Sequence, residues 1–488
     1  MPILALDAGT TSTRAMVFAD DGAVLATVQR PFPQYFPRDG WVEHDAEEIW
    51  ATTRRCGREA LAAAGLAATD IAGIGIAVQR ETVVIWNRTT GLPVHRAIVW
   101  QDRRTAEECR ALAATPAAVA LVARTGLLLD PYFSATKLAW ILDNVAGVRE
   151  AAERGELLAG TIDSWLLWRL TDGAVHATDA TNASRTLLFD IHLQQWSDEL
   201  CALFRVPRGI LPEVRDSAAE YGLAGAAHFG APIAVRALVG DQQAAAVGQE
   251  CVAPGEAKAT YGTGCFVLVQ TGDRVRVSRH RLLATVALRL AGRTTYALEG
   301  SIFNAGTVVQ WLRDQLGIIT TAAETAAVAA SVPTSGGVYF VPSFTGLGAP
   351  WWDPEARGAL SGLTRDSGRA EIVRAALESV ALQTRDLARA FAEDGVPLTT
   401  LRVDGGMSAN DWLMQTLADQ LRLPVERPAV LETTAWGAAR LAGMQAGLYP
   451  PLGAAWARRV ERTFTPLADE ARSDRLHAGW LRAVTRVR

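Results

Sequence analysis

ILALDAGTTSTRAMVFADDGAVLATV, residues 3–28, is the stretch whose pattern decides the fold. Residues 3–6 form a short apolar run that ends at Asp7. A hydroxyl-rich turn follows, Ala8-Gly9-Thr10-Thr11-Ser12-Thr13, and residues 15–18 resume a strand. Asp20-Asp21-Gly22 supplies hairpin turn chemistry, and residues 23–28 run back. Working outward, Asp45 followed by Glu48 has the spacing of a capping box that opens a helix to about residue 64. Ile49, Thr53, Cys56 and Ala60 mark one face of that helix. Residues 71–78 then read as a buried-type strand running into Gln79-Arg80-Glu81.

Three strands, a helix and a strand recur in reduced form later. Residues 401–406, Leu-Arg-Val-Asp-Gly-Gly, again run an apolar strand into an acidic residue and a tight turn, ahead of a helix over 409–421. The pattern predicts two like-folded α/β domains facing a shared cleft, although so short an echo also allows a chance likeness. Val252-Ala253-Pro254-Gly255 punctuates the chain and places the boundary there, giving domains 1–249 and 250–488. The tail beyond Pro450 is Arg-rich and reads as a helix packed on the outside.

Composition removes several classes of function. The 488 residues suffice for two or more cores. Hydrophobic residues at 49% and charged residues at 20% describe a soluble globular protein. The net charge of -4, with basic residues scattered, offers no field for nucleic acid or an anionic membrane surface. No apolar run is long enough to span a bilayer, so no stable membrane association is expected. Five widely spaced cysteines make neither a disulfide framework nor a zinc site, and the chain opens as a strand without a signal-like region. These features predict a cytoplasmic protein. Only two lysines occur, Lys137 and Lys258, and neither follows a glycine, so a P-loop is absent. No protein-kinase catalytic-loop signature is present either.

Four constellations could carry chemistry. Asp7, Gly9, Thr10, Thr11, Ser12 and Arg14 set a carboxylate, exposed amides, hydroxyls and a guanidinium in one loop. Phosphate oxygens would accept from those donors, and Asp7 would tolerate them only with Mg2+ between. A polar hairpin with a solvated Asp is the other reading. Arg80-Glu81 at the end of a buried strand could grip vicinal hydroxyls, with Trp100 over the carbon face. A surface ion pair beside a core Trp fits as well. In Gly240-Asp241-Gln242, Asp241 stands where a catalytic base for phosphoryl transfer would, with Gln242 orienting a second hydroxyl. Capping of the next helix is compatible with that role. Thr260-Tyr261-Gly262-Thr263-Gly264-Cys265-Phe266, Gly306 with Gln310, and Gly405-Gly406 with Asn410 are glycine turns where backbone could approach a nucleotide.

Taken together these segments resemble the FGGY carbohydrate kinases, and among them the glycerol kinases, over nearly the whole chain. The likeness runs through ALDAGTTSTR, VQRETVVIWNRTTGLPV, AIVWQDRRT, DPYFSATKLAWILDN, GDQQAAAVGQ, TYGTGCFVL, SFTGLGAPWWDPEARGAL and VDGGMSAN, in order. The resemblance implies two actin-like, ribonuclease-H-like ATPase domains closing over ATP. It implies polyol contacts at Arg80, Glu81, Trp100, Tyr132, Asp241, Gln242 and Phe266, with Asp241 as base. It implies nucleotide contacts at Thr10, Thr11, Ser12, Arg14, Thr263, Gly306, Gln310, Gly406 and Asn410, and Mg2+ at Asp7 and Asp241 through water. The implied reaction is ATP-dependent phosphorylation of glycerol to sn-glycerol 3-phosphate, by a homo-oligomer (dimer or tetramer). A relative acting on erythritol or xylulose, and a non-catalytic actin-like module, are the alternatives. Two departures stand out. Ala8 replaces the Gln usual between Asp and Gly, and Ala227-His228-Phe229-Gly230 replaces the Gly/Arg loop that binds an inhibitory sugar bisphosphate in well-studied members. His228 faintly resembles a phosphorylatable histidine of other members and is expected on the surface.

Overall fold

A computed structural model of the chain describes residues 1–454 and 459–488. Two large mixed sheets dominate it. In the first, the strands lie in the order Leu223–Ala224, Ile233–Gly240, Gly73–Val78, Ile3–Ala8, Ser12–Phe18 and Val24–Pro31. In the second they run Leu283–Leu290, Arg293–Ile302, Cys265–Gly272, Ala257–Tyr261, Leu401–Asp404, Val425–Pro428 and Val460–Phe464.

The two sheets repeat one plan. Ile3–Ala8 pairs antiparallel with Ser12–Phe18, and that strand with Val24–Pro31; on its other side it pairs parallel with Gly73–Val78, beyond which lies Ile233–Gly240. Ala257–Tyr261 likewise pairs antiparallel with Cys265–Gly272, and that strand with Arg293–Ile302; its parallel neighbours are Leu401–Asp404 and then Val425–Pro428. The duplication expected from sequence is present, but its correspondence differs. Leu401–Asp404 matches Gly73–Val78, not the first strand. The counterpart of the first strand and its turn is Ala257–Tyr261 with Gly262-Thr263-Gly264, where glycine and threonine replace the acidic residue that guided the eye.

Local signals hold with small shifts. The helix Ala46–Ala64 starts at Asp45, whose carboxylate accepts from the amides of Glu47 and Glu48. The reciprocal half of the expected capping box is missing, because Glu48 Oε1 accepts from the Tyr35 hydroxyl at 2.9 Å instead. The tail departs further from a purely outer helix. Val460–Phe464 adds a strand to the edge of the second sheet, and Glu470–Thr485 buries Trp480 and His477 against Asp386. Trp480 Nε1 donates to Asp386 Oδ2 and His477 Nε2 meets Oδ1, each at 2.7 Å. Residues 455–458 of that expected helix lie outside the described residues. Among the described residues no helix is long and apolar enough to cross a membrane.

The halves trade helices at their junction. Asp241–Gly248 leaves the end of Ile233–Gly240, and Thr433–Gln445 follows Val425–Pro428. Each is rich in Ala and Gly, so the two backbones cross in close contact: a Cβ on Gly437 would run into the Ala244 carbonyl, and one on Gly248 into that of Thr433. Thr433–Gln445 also packs on the first sheet, where Ala435, Ala438, Ala439 and Ala442 share a buried cluster with Ile3, Ala5, Ala77 and Val239. Long side chains are excluded here because they would part the helices and open the core between the sheets. We predict that Gly437→Ala costs about 1–3 kcal/mol or more. It should lower the midpoint of chemical unfolding, and an unchanged midpoint would show the crossing to be slack.

Candidate active site

Gly73–Val78, buried along its length, delivers Arg80 and Glu81 to the C-terminal edge of the first sheet. Glu81 takes a left-handed backbone with φ of +64°, uncommon for a non-glycine residue and costly unless its surroundings impose it. They do: its carbonyl accepts from Ser134 Oγ at 2.9 Å, and its Oε1 accepts from Arg185 Nε at 2.6 Å. Arg80 reaches Glu299 Oε2 through Nη1 at 2.5 Å and Asp241 Oδ1 through Nε at 3.2 Å. Arg185 Nη2 meets the other oxygen of Glu299 at 2.8 Å. Arg80, Glu81, Arg185 and Glu299 are all buried, so the surface ion pair allowed by the sequence is not what forms. Burial acts to raise the Glu299 pKa, but Arg185 and Arg80 overcome it and hold the group at about 2. Burial dominates at Glu81, pushing it above its ordinary range despite the same two guanidiniums.

The aromatic residues expected around a polyol converge on this network. Trp100, just past the strand Ala97–Ile98, packs edge-on to Tyr132 and Phe266, with centroids 5.5 and 5.9 Å away. The Tyr132 hydroxyl lies 3.5 Å from Arg80 Nη2. Asp241 is the first residue of its helix, and its side chain remains 25% exposed, so it can still meet a substrate. Its Oδ1 also accepts from the Gln242 backbone N–H at 2.7 Å. Gln242 is buried beside it and accepts at Oε1 from Lys258.

The first loop touches this pocket rather than standing apart. Thr10 Oγ1 accepts from Trp100 Nε1 at 3.0 Å. Ser12 Oγ accepts from Gln29 at 2.8 Å, and Arg14 pairs with Glu432 of the other half and with Gln29. Asp7 is half-buried, and burial pushes its carboxyl up to about 7, Arg14 opposing and Asp241 adding to the shift. Asp241 is near enough to add to that shift, and two neighbouring carboxylates are a fitting place for a divalent cation. Among the described residues no group of three or more His, Cys, Asp or Glu could hold a metal.

The remaining nucleotide candidates gather elsewhere in the second half. Thr263, Gly306, Gln310, Gly406 and Asn410 all line one cavity of about 650 Å³, together with Val309, Ala326, Leu377 and Met407. Its wall is mostly apolar, suited to a flat base. Gly306 sits tightly against the Gly262 turn, where a Cβ would come within 2.5 Å of the Gly262 carbonyl. The Asn410 side chain is committed to caps and ties, accepting from Leu413 N and donating to Thr325 Oγ1. Thr10, Thr11, Ser12 and Arg14 do not line this cavity.

Comparison with known proteins adds the family. The model for the N-terminal domain of the FGGY family of carbohydrate kinases matches residues 2–248, and that for its C-terminal domain matches residues 257–446. The chain belongs to the FGGY family of carbohydrate kinases. Relatives include a glycerol kinase of Rhodospirillum centenum, 59% identical over 100% of this chain and 98% of the relative. Glycerol kinase 1 of Pseudomonas aeruginosa is 57% identical over 100% and 99% of the two chains. Among solved structures, Plasmodium falciparum glycerol kinase with ADP superposes with a TM-score of 0.92 at 34% identity, covering 100% of this chain and 98% of that one. Xylulose kinase from Lactobacillus acidophilus shares the fold, with a TM-score of 0.88 at 20% identity over 99% and 98% of the chains.

Within this FGGY kinase, three buried charges escape a reading of the sequence alone. Glu299 is the single acid in the apolar run Tyr296-Ala-Leu-Glu-Gly-Ser-Ile, and that isolation was a usable signal. Lys258, one of two lysines, offered a similar one. Arg185 sits among small polar residues and offered none. His228 corrects an expectation: it is buried, stacked edge-on against Trp50, with Nε2 3.0 Å from Asp172 Oδ1. That burial makes it unfit as a surface phosphoryl acceptor. Removing Glu299 would leave Arg80 and Arg185 confronting each other, so Glu299→Ala should cost about 3–5 kcal/mol. Urea denaturation tests this; a midpoint equal to that of the unaltered protein would deny the network its structural role.

Proposed function

We infer that the protein transfers the γ-phosphoryl group of ATP to a terminal hydroxyl of glycerol, giving sn-glycerol 3-phosphate. Likeness to glycerol kinases along the entire chain carries this reading, and the pocket of Arg80, Trp100, Tyr132, Asp241 and Phe266 suits it chemically. Glycerol offers three hydroxyls and a short apolar carbon face. The charged edge of the pocket answers the hydroxyls, and the aromatic rings answer the carbons.

In this reading Asp241 accepts the proton of the attacking hydroxyl. Arg80 Nε lies 3.2 Å from its Oδ1 and orients it. Arg80, Glu81 and Gln242 fix the remaining hydroxyls. Phosphoryl transfer has a loose transition state, so what the protein supplies is mainly in-line placement and compensation of charge. Residues 1–249 contribute the base and most of the polyol site, to which residues 250–488 add Phe266. Residues 250–488 contribute the nucleotide site, with the base of ATP in the cavity lined by Gly306, Gln310, Gly406 and Asn410, and its phosphates directed toward the loop of Thr10, Thr11, Ser12 and Arg14. Mg2+, held by Asp7 and Asp241 through water, would neutralise phosphate charge when bound. Arg14 would exchange Glu432 for a phosphate oxygen. A cytoplasmic location accords with five buried cysteines that form no disulfide.

Two measurements test this reading. Steady-state assays with ATP and glycerol, erythritol, dihydroxyacetone or xylulose should give the highest kcat/KM for glycerol; a preference for a longer substrate would replace it. Asp241→Asn should lower kcat by about 10²–10⁴-fold while the KM for ATP moves less than about threefold. Near-normal turnover would remove Asp241 as the base.

A further inference from the structure

Both lysines of the chain are wholly buried. The ammonium of Lys137 donates to the carbonyls of Pro131, Tyr132 and Phe133, closing the turn that carries Tyr132. Lys258 does something different. It belongs to Ala257–Tyr261 of the second sheet, yet its ammonium reaches across the junction to Gln242 Oε1 in the first half. It also donates to Thr260 Oγ1 at 2.9 Å and to the Phe266 carbonyl at 3.4 Å. Three oxygens thus surround one Nζ, from its own strand, from the neighbouring strand at Phe266 and from the Gln242 side-chain amide.

A glutamine amide by itself leaves its oxygen and nitrogen interchangeable in outline. The neighbour removes the ambiguity here, because an ammonium has three donors and no acceptor, so only oxygen can face it. The Gln242 nitrogen is thereby turned away from Lys258. Gln242 Oε1 is taken by Lys258, and among the described residues Nε2 makes no hydrogen bond; the residue is only 6% exposed, yet this atom keeps some access to solvent. A donor that is open and without a protein partner is available to a ligand, which gains affinity and selectivity by accepting from it.

We propose that Lys258 is a positioning residue for the polyol: it holds the Gln242 amide so that Nε2 alone faces the substrate and donates to a non-reacting hydroxyl oxygen. That hydroxyl must then aim its own hydrogen at the neighbouring carboxylates, which orders the polyol relative to Asp241. The same strand continues within a few residues into Gly262 and Thr263 of the nucleotide cavity. The donor that reads the polyol in one half is therefore set by a strand of the other. This inference rests on the glycerol reading above.

Gln242→Glu is the direct test, because it keeps an oxygen for Lys258 and replaces only Nε2. The KM for glycerol should rise by about tenfold or more, with the KM for ATP moving less than about threefold. Lys258→Met should raise the glycerol KM in the unaltered background but have little further effect in a Gln242→Ala background, since it acts through that amide. An unmoved glycerol KM in Gln242→Glu, or an equal effect of Lys258→Met in both backgrounds, overturns the inference. Should Lys258→Met fail to fold, Gln242→Glu decides alone. Absence of glycerol-dependent ADP formation by the unaltered protein would instead remove the glycerol reading itself, and with it the ground of the inference.

Discussion

Glu299 lies between two guanidiniums supplied by the opposite half of the molecule, Arg80 at 2.5 Å and Arg185 at 2.8 Å, and the rest of the site depends on that contact. Charges so fully removed from water are tolerable only when each is answered by another. Arg185 also fixes Glu81, and Arg80 also touches Asp241 and Gln243. The quartet therefore sets the direction of the guanidinium beside the candidate base. Ion pairs this deep add little net stability over an apolar core. Their value is in geometry, because a carboxylate with two fixed partners has few orientations left.

The duplicated architecture explains why such a contact exists. Each sheet ends its parallel strands at the same cleft, the usual place for ligands in open α/β sheets. The first contributes Arg80, Glu81 and Asp241 there, and the second contributes the turns around Thr263 and Gly406. Glu299 and Lys258 are the points where the second sheet reaches past its own turns into the pocket of the first. A pocket built by one half alone would lack both the acid that pairs with Arg80 and the ammonium that meets Gln242.

Much of this was legible in the sequence. Residues 3–28 announced three strands and their turns, and Asp45 announced the first helix. The apolar run to Val78 announced a strand that leaves Arg80 and Glu81 just past its end. The register of the repeat was not legible: an Asp-Gly turn at residues 404–405 looked like the first loop, yet the true counterpart, Gly262-Thr263-Gly264, carries no acid. Nor was the tail, where Val460–Phe464 finds its partner only once the sheet edge exists. Arg185 and Glu299, 114 residues apart, illustrate the general limit. Their pairing is a property of how two halves pack, and no local pattern encodes it.

The Gly–Ala contact between Asp241–Gly248 and Thr433–Gln445 has a mechanical corollary. With backbone seated on backbone at Gly437 and Gly248, any turning of one half on the other would centre on that contact. Rotation about a point displaces nearby atoms little and distant ones much. Asp241 stands on the first turn of one of these helices, so such a rotation would move it less than atoms farther along either sheet.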